Sequence, residues 1–281
     1  ETEQGRFILT LFEKRADPKD LPWFIALMQH LAARGFPAPE PVAARDGASL
    51  RTLEGRPSVI ITFLDGLSPR RPNVAQCREI GSALARMHDA LSTFSEHERG
   101  NPLGPAAWPA LWSGRTALAE TLQPGLPALI DADLAAIAAA RAVSNDLPRG
   151  VIHADLFPDN AFFIGDAFTG AIDFYFACHD ALAYDLAVCL NAWAFEDDLQ
   201  YNFSKGAALI SGYCEHRTLS DAEYATLPQL CLGAAMRFFL TRLVDWADTP
   251  GDALVKPKDP LEYAARLAFH RRAKSAAEYG A

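Results

Sequence analysis

The 281-residue chain is half apolar, enough for a substantial core in one large domain or two smaller ones. Its formal charge of −9 argues against nucleic acid as the main partner, because phosphate backbones are met by basic faces. No apolar run reads as membrane-spanning and no signal peptide opens the chain, so the expectation is a cytoplasmic protein without a membrane partner.

The chain opens inside a β pattern. Glu3-Gln4-Gly5 has turn chemistry and Phe7 to Phe12 reads as a strand, so a partner strand is expected upstream, in a natural protein that extends further toward its N-terminus. A helix is expected from Asp17 or Pro18 to Gly35, with Trp23, Leu27, His30 and Leu31 at helical spacing. Strands follow near Leu50 to Leu53 and Val59 to Phe63, the latter apolar on both faces as a central strand should be. From Asn73 the pattern is mostly helical: Asn73 to Leu91, Trp108 to Leu118, Asp131 to Ala142, Ala181 to Phe195, Phe203 to Cys214, Ser220 to Ala247 and Leu261 to Ala277. The five cysteines are scattered and form no C-x-x-C pair, which favours small buried residues in a reducing compartment.

Between two of these helices lies the stretch that carries the chemistry. Val151-Ile152 leads into His153-Ala154-Asp155-Leu156-Phe157-Pro158-Asp159-Asn160, then the β-leaning run Ala161 to Ile164. Turn formers at Gly165-Asp166 and Thr169-Gly170 precede Ala171-Ile172-Asp173-Phe174. A hairpin here returns Asp173 to the neighbourhood of Asp155 and Asn160. Asp155 can accept a proton from an attacking hydroxyl, while the Asn160 oxygen and the Asp173 carboxylate hold Mg²⁺ against the phosphates of ATP. Protein kinases carry the same parts in the same order, with Arg where Ala154 stands and Gly where Tyr175 stands. The expected fold is therefore α+β and protein-kinase-like, with a small β-rich nucleotide-binding lobe over residues 1–65 and a larger helical lobe over 66–281. In that order Thr62, Phe63 and Leu64 would form the hinge that meets the adenine.

The His-x-Asp-x-x-x-x-Asn loop with Ile172-Asp173-Phe174, together with Ala183-Tyr184-Asp185-Leu186-Ala187, Phe63-Leu64-Asp65-Gly66, Arg237 to Trp246 and Lys258 to Tyr263, resembles the homoserine kinases of the aminoglycoside phosphotransferase and choline kinase-like family. These segments spread over nearly the whole chain, whereas the loop alone points only to the superfamily. The resemblance implies ATP-dependent phosphorylation of the L-homoserine hydroxyl, a step toward threonine, and gives Asp185 the duty of ordering the catalytic loop. One departure concerns the lysine that usually contacts the nucleotide phosphates. Its expected position holds Thr10, and Lys14, four residues on, is either its replacement or a solvated strand-end lysine.

Residue types bear on the acceptor independently. Aminoglycosides are polycations and need several carboxylates, yet the segment after Asp173 is aromatic and neutral: Phe174, Tyr175, Phe176, then Asn191 and Trp193. Homoserine, a small zwitterion, needs one cation for its carboxylate. Arg237 is a candidate, its alternative being to snorkel or pair elsewhere. Tyr175 and Asn191 are possible polar wall residues, and Asp180 is open between helix cap and substrate contact. Two readings of other classes remain beside the kinase. One is a silent binding protein on the same fold, which intact Asp155, Asn160 and Asp173 argue against. The other is a metal hydrolase using His153, Asp155 and Asp173, although no further histidine stands at metal-ligand spacing.

Overall fold

The computed structural model describes residues 3, 5–12, 17–143, 147–250 and 256–281, the side chains of 141–143 excepted; Lys14 therefore lies outside the described residues. Strand β1 (Phe7–Leu11) pairs antiparallel with the central strand β3 (Arg56–Thr62), whose other edge takes β2 (Leu50–Leu53). Beyond β2 that edge continues through the 40–42 segment, where the Val42 N–H donates to Ile60 O and the Thr62 N–H to Glu40 O. Helix α1 (Leu21–Ala33) opens later than the expected start at Asp17 or Pro18 and buries Trp23, Leu27 and Leu31 of the expected recurrence, together with Leu21 and Phe24, while His30 stays half-buried. Trp23 anchors it to the rest of the chain, its indole N–H donating to His97 O and its ring meeting Phe94 edge to face.

The chain then crosses to the helical part through Gly66, whose backbone holds φ +133°. A Cβ there would sit 3.0 Å from the backbone of Phe163 and 2.6 Å from Thr169 Oγ1, so only glycine lets the crossover lie against the catalytic hairpin. Leu67 and Phe163 exchange both backbone hydrogen bonds across that contact. Helix α2 (Val74–Leu91) starts with a capping box between Asn73 and Gln76. The same two side chains reach the hairpin turn, at Asp166 Oδ1 and Gly165 O.

The expected helix from Trp108 to Leu118 is two helices, α3 (Trp108–Trp112) and α4 (Thr116–Leu122). Gly114 takes a left-handed φ of +76° between them, a stop that the apolar periodicity overran. Helix α5 (Leu126–Val143) begins five residues before its expected start at Asp131. Strand β4 (Arg149–Ile152) leads into the catalytic loop, and β5 (Ala161–Ile164) and β6 (Ala167–Ala171) form the hairpin. Its turn is Gly165-Asp166 alone. Thr169 and Gly170, expected as turn residues, lie inside β6, where the Thr169 hydroxyl donates to Asp65 O and Gly170 leaves room for Leu64. Strand β7 (Cys178–Ala181) pairs with β4, a long-range match with no local signal.

Helices α6 (Leu182–Trp193), α7 (Phe203–Cys214), α8 (Asp221–Asp248) and α9 (Leu261–His270) complete the described elements. The helix expected to run to Ala277 ends at His270, and the chain folds back through a 3₁₀ turn that buries Tyr279 beside the His270 ring. By length and composition α8 is apolar enough to cross a membrane, contrary to the reading of the sequence, but 78% of that window is buried inside the fold as a core helix. Helices α2 and α7 meet backbone to backbone through Gly81 and Gly212. A Cβ on Gly212 would overlap the Arg78 carbonyl, and one on Gly81 the Leu209 carbonyl. Gly212→Ala should therefore cost at least ~1–3 kcal/mol by overpacking two rigid backbones, read as a lower urea midpoint. An unchanged midpoint would show that the helices can slide apart freely.

Candidate active site

The catalytic loop leaves β4 at Ile152 and turns sharply at Ala154, which holds a left-handed φ of +62°. That conformation is costly for a residue with a Cβ and persists only where the surroundings enforce it. Both sides of Ala154 are pinned. Its N–H donates to Asp185 Oδ1 at 2.8 Å, and its carbonyl accepts from the Arg237 guanidinium. Asp185 lies in the first turn of α6 with no exposure. Its second oxygen accepts from the His153 N–H at 2.8 Å and faces His88 Nε2 at 3.1 Å. Burial works to raise the Asp185 pKa, but the hydrogen bond and charge of His88 and the contacts of His153 outweigh it and hold the carboxyl below its usual value.

His153 is fully buried. Its Nε2 bonds Ile172 O at 3.0 Å and its Nδ1 faces the Asp155 N–H at 3.2 Å, so the neutral tautomer with hydrogen on Nε2 satisfies both. Desolvation lowers its pKa against the pull of Asp185 and Asp173. With both ring nitrogens engaged by backbone, His153 has none left for a metal, which removes the hydrolase reading's ligand set.

Asp155 points out of this anchored turn with 18% of its side chain exposed. Desolvation pushes its pKa up to about 7; Arg237, 3.6 Å away, works against that shift and Asp173 adds to it. Asn160 follows in the 3₁₀ turn Pro158–Asn160. Its Nδ2 donates to Asp155 O at 2.8 Å and to Asp155 Oδ2 at 3.3 Å, which leaves its Oδ1 to act as a ligand. Asp173 comes just beyond β6 in a left-handed conformation (φ +64°), and its carboxylate has no hydrogen-bond or ion-pair partner among the described residues. No group of three or more His, Cys, Asp or Glu able to hold a metal occurs among the described residues. An amide oxygen plus one unpartnered carboxylate instead fits a hard cation whose remaining ligands are phosphate oxygens and water.

Asp173 also lines a cleft of about 390 Å³ beneath the three-stranded sheet. Thr62, Phe63 and Leu64 line it together with Ile8, Ile61, Phe162 and Ile172, which makes a slot of apolar walls. The Phe63 N–H donates to Arg6 O, whereas the Leu64 N–H and C=O have no backbone partner among the described residues and are available to a ligand.

The structure separates the residues expected around the acceptor. Tyr175 lines the cleft just described, packed edge to face on Phe12 and Phe24, rather than a wall on the far side of Asp155. Asn191 is in the core with no exposure. Its amide donates to Ala187 O and Cys231 O and its oxygen faces His270, so it has nothing left for a substrate. Asp180 stands in β7 just ahead of the helix N-cap, held by Asn101 and the Ala181 N–H, and faces a separate cavity with Arg149 and Tyr184. Arg237 is 2% exposed, stacked on Phe238 and Phe176 and committed to Ala154 and Asp155; it braces the loop instead of facing open space. Sequence spacing puts these residues near the loop but cannot tell which side of each helix the loop will occupy.

A strand-rich N-terminal part, a hinge, a His-x-Asp-x-x-x-x-Asn loop and a returning Asp173 together define a protein-kinase-like phosphotransferase of the aminoglycoside and choline kinase type. The chain belongs to the phosphotransferase enzyme family, which matches residues 1–228. It is similar to a homoserine kinase of Hyphomonas neptunium, 65% identical over 100% of this chain and 88% of that one. A homoserine kinase of Gluconacetobacter diazotrophicus is 55% identical over 99% and 87%. Among solved structures, an amicoumacin kinase in complex with AMP-PNP and Ca²⁺ superposes with a TM-score of 0.68 at 16% identity, covering 96% of this chain and 82% of that one. An ethanolamine kinase of Plasmodium vivax gives 0.62 at 15% identity over 96% and 77%.

Proposed function

We propose that this chain transfers the γ-phosphoryl group of ATP to the hydroxyl of L-homoserine, forming O-phosphohomoserine for threonine biosynthesis. The observation that supports this acceptor most directly is similarity along the whole chain, up to 65% identical, to proteins named homoserine kinase. The geometry supports the chemistry. Asp155, braced by Arg237 and oriented by Asn160, is the base. It takes the hydroxyl proton as the acceptor oxygen bonds to the γ-phosphorus, while the bond to the bridging β–γ oxygen breaks and ADP leaves. Asn160 and Asp173 would hold Mg²⁺, which when bound would offset charge developing on the phosphate oxygens. Residues 1–65 form the nucleotide lobe in this reading, with Thr62, Phe63 and Leu64 at the adenine. Residues 66–281 supply the base and the acceptor pocket.

A coupled ADP-release assay tests it, with homoserine, choline, ethanolamine, methylthioribose and kanamycin side by side. Homoserine should exceed choline in kcat/KM by at least the value of one charge-assisted hydrogen bond to its carboxylate, roughly 10- to 150-fold. Turnover should stop when divalent metal is chelated. Choline turned over as well as homoserine, or transfer without divalent metal, would overturn the reading.

A further inference from the structure

We infer that Arg266, whose guanidinium lies against the rings of Phe195 and Tyr263, is the cation that receives the acceptor's carboxylate. The inference rests on the homoserine reading and assigns its carboxylate site to a residue that no motif marks.

Three arginines gather where α8 meets α9. Arg237 stacks on Phe238 at 4.3 Å, and the Phe238 ring lies 5.3 Å from that of Tyr263. Arg242 and Arg266 stack on Tyr263 at 4.6 and 4.4 Å. Their hydrogen bonding separates them. Arg237 is used by Ala154 and Asp155 through its Nη atoms, which leaves only its buried Nε without an acceptor, and Arg242 is used by Glu262 at 2.6 Å and Asp259 O at 3.0 Å. Arg266 has no ion-pair partner among the described residues, and its Nε and Nη1 are buried without an acceptor. Aromatic faces on Tyr263 and Phe195, the latter at 5.2 Å, offset part of the charge but accept no strong hydrogen bond. A guanidinium with buried, unanswered N–H groups is expensive unless a ligand supplies the oxygens. A carboxylate meets one edge of a guanidinium with two parallel bonds, pairing Nη2 with either Nε or Nη1.

The segment that leads into α9 runs on the catalytic side of the molecule. Just before α9, Lys258 pairs with Asp159 at 3.3 Å and stacks over Phe157, and Phe157 packs on Phe238 at 4.8 Å, so this segment runs along the loop that carries Asp155. The Tyr263 hydroxyl is likewise buried without a partner and feels the charges of Arg266, Arg242, Asp155 and Arg237 together. Lys258, another cation along this segment, is exposed and already paired with Asp159, which makes it the weaker candidate.

The test uses Arg266→Met, which keeps the stacking length and removes the fork, and Arg266→Lys, which keeps the charge alone. Wild type and both variants are assayed with homoserine and with its neutral amide, and thermal unfolding is recorded. Arg266→Met should raise the homoserine KM roughly 10- to 150-fold, leave the ATP KM unchanged and lose most of the preference for homoserine over the amide. Arg266→Lys should retain part of that preference. If wild type prefers homoserine over the amide and Arg266→Met keeps the same ratio, the Arg266 assignment fails while the homoserine reading stands. If wild type phosphorylates neither, both fail. Should Arg266→Met not fold, an Arg266→Lys enzyme with an unaltered homoserine-to-amide ratio overturns the assignment equally.

Discussion

Asp155→Asn should lower phosphoryl transfer by roughly 10²–10⁴-fold or more while leaving ATP affinity close to that of the parent. The amide is isosteric but cannot take the hydroxyl proton, and the loop that presents it is held by other groups. Asn160 Nδ2 still has the residue-155 carbonyl at 2.8 Å, Arg237 still has Ala154 O, and Asp185 still holds the two N–H groups upstream. The cleft proposed for the nucleotide is lined by other residues. Single-turnover kinetics beside a nucleotide titration separate the two effects, and a variant within a few-fold of wild type would remove Asp155 from the base role. The pH dependence follows the same group. Burial raises the Asp155 pKa to about 7, and only the ionised form is a base. Wild-type kcat/KM should therefore fall about tenfold per unit as pH drops below that value, and the residual activity of Asp155→Asn should not follow that slope.

Asp185→Ala should damage the protein differently, by loosening the loop that Asp155 stands on. The carboxylate is fully buried and accepts from the His153 and Ala154 N–H groups, with His88 as its third partner. Truncation leaves two backbone donors without acceptors inside the core, each worth about 1–3 kcal/mol, and a buried imidazole without its carboxylate. It also removes one of the two bonds that hold Ala154 left-handed. A total loss on the order of 3–5 kcal/mol is expected, seen in urea unfolding, together with a fall in kcat. Because the folded-state pKa of Asp185 is depressed, its contribution is present above its unfolded value and is lost as pH falls through the folded one. Acidification should thus narrow the gap between wild type and Asp185→Ala. Unchanged stability in the variant would show that the loop is shaped by something other than this clamp. Measured side by side, Asp155→Asn should lose activity without stability and Asp185→Ala should lose both.

Local features carried most of the fold. The capping pairs Asn73 with Gln76 and Ser220 with Glu223 begin α2 and α8 where short-range chemistry says they should. The Gly165-Asp166 turn closes the hairpin, and the β-leaning runs within residues 7–11 and 56–62 form two strands that pair. Breaks were harder to see where glycine sits in a favourable apolar period, as at Gly114.

The order His153, Asp155, Asn160, Asp173 was legible in the sequence alone, because loop length and a hairpin turn are short-range features, whereas the clamp that holds the loop comes from Asp185 and Arg237 far along the chain. Side-chain allegiance was decided by the tertiary structure. Arg237, Arg242 and Arg266 are alike as residues, but α8 turns Arg237 onto the catalytic loop, Glu262 takes Arg242, and Arg266 is left with aromatic faces and no acceptor for its Nε and Nη1 among the described residues. Asn191 went to the core for the same reason: the packing of α6 against α8 and the approach of His270 satisfied its amide before any substrate could. A motif is a short-range property of the chain, whereas a partner is chosen by whichever group long-range packing brings within hydrogen-bond distance, and no spacing along the sequence encodes that distance.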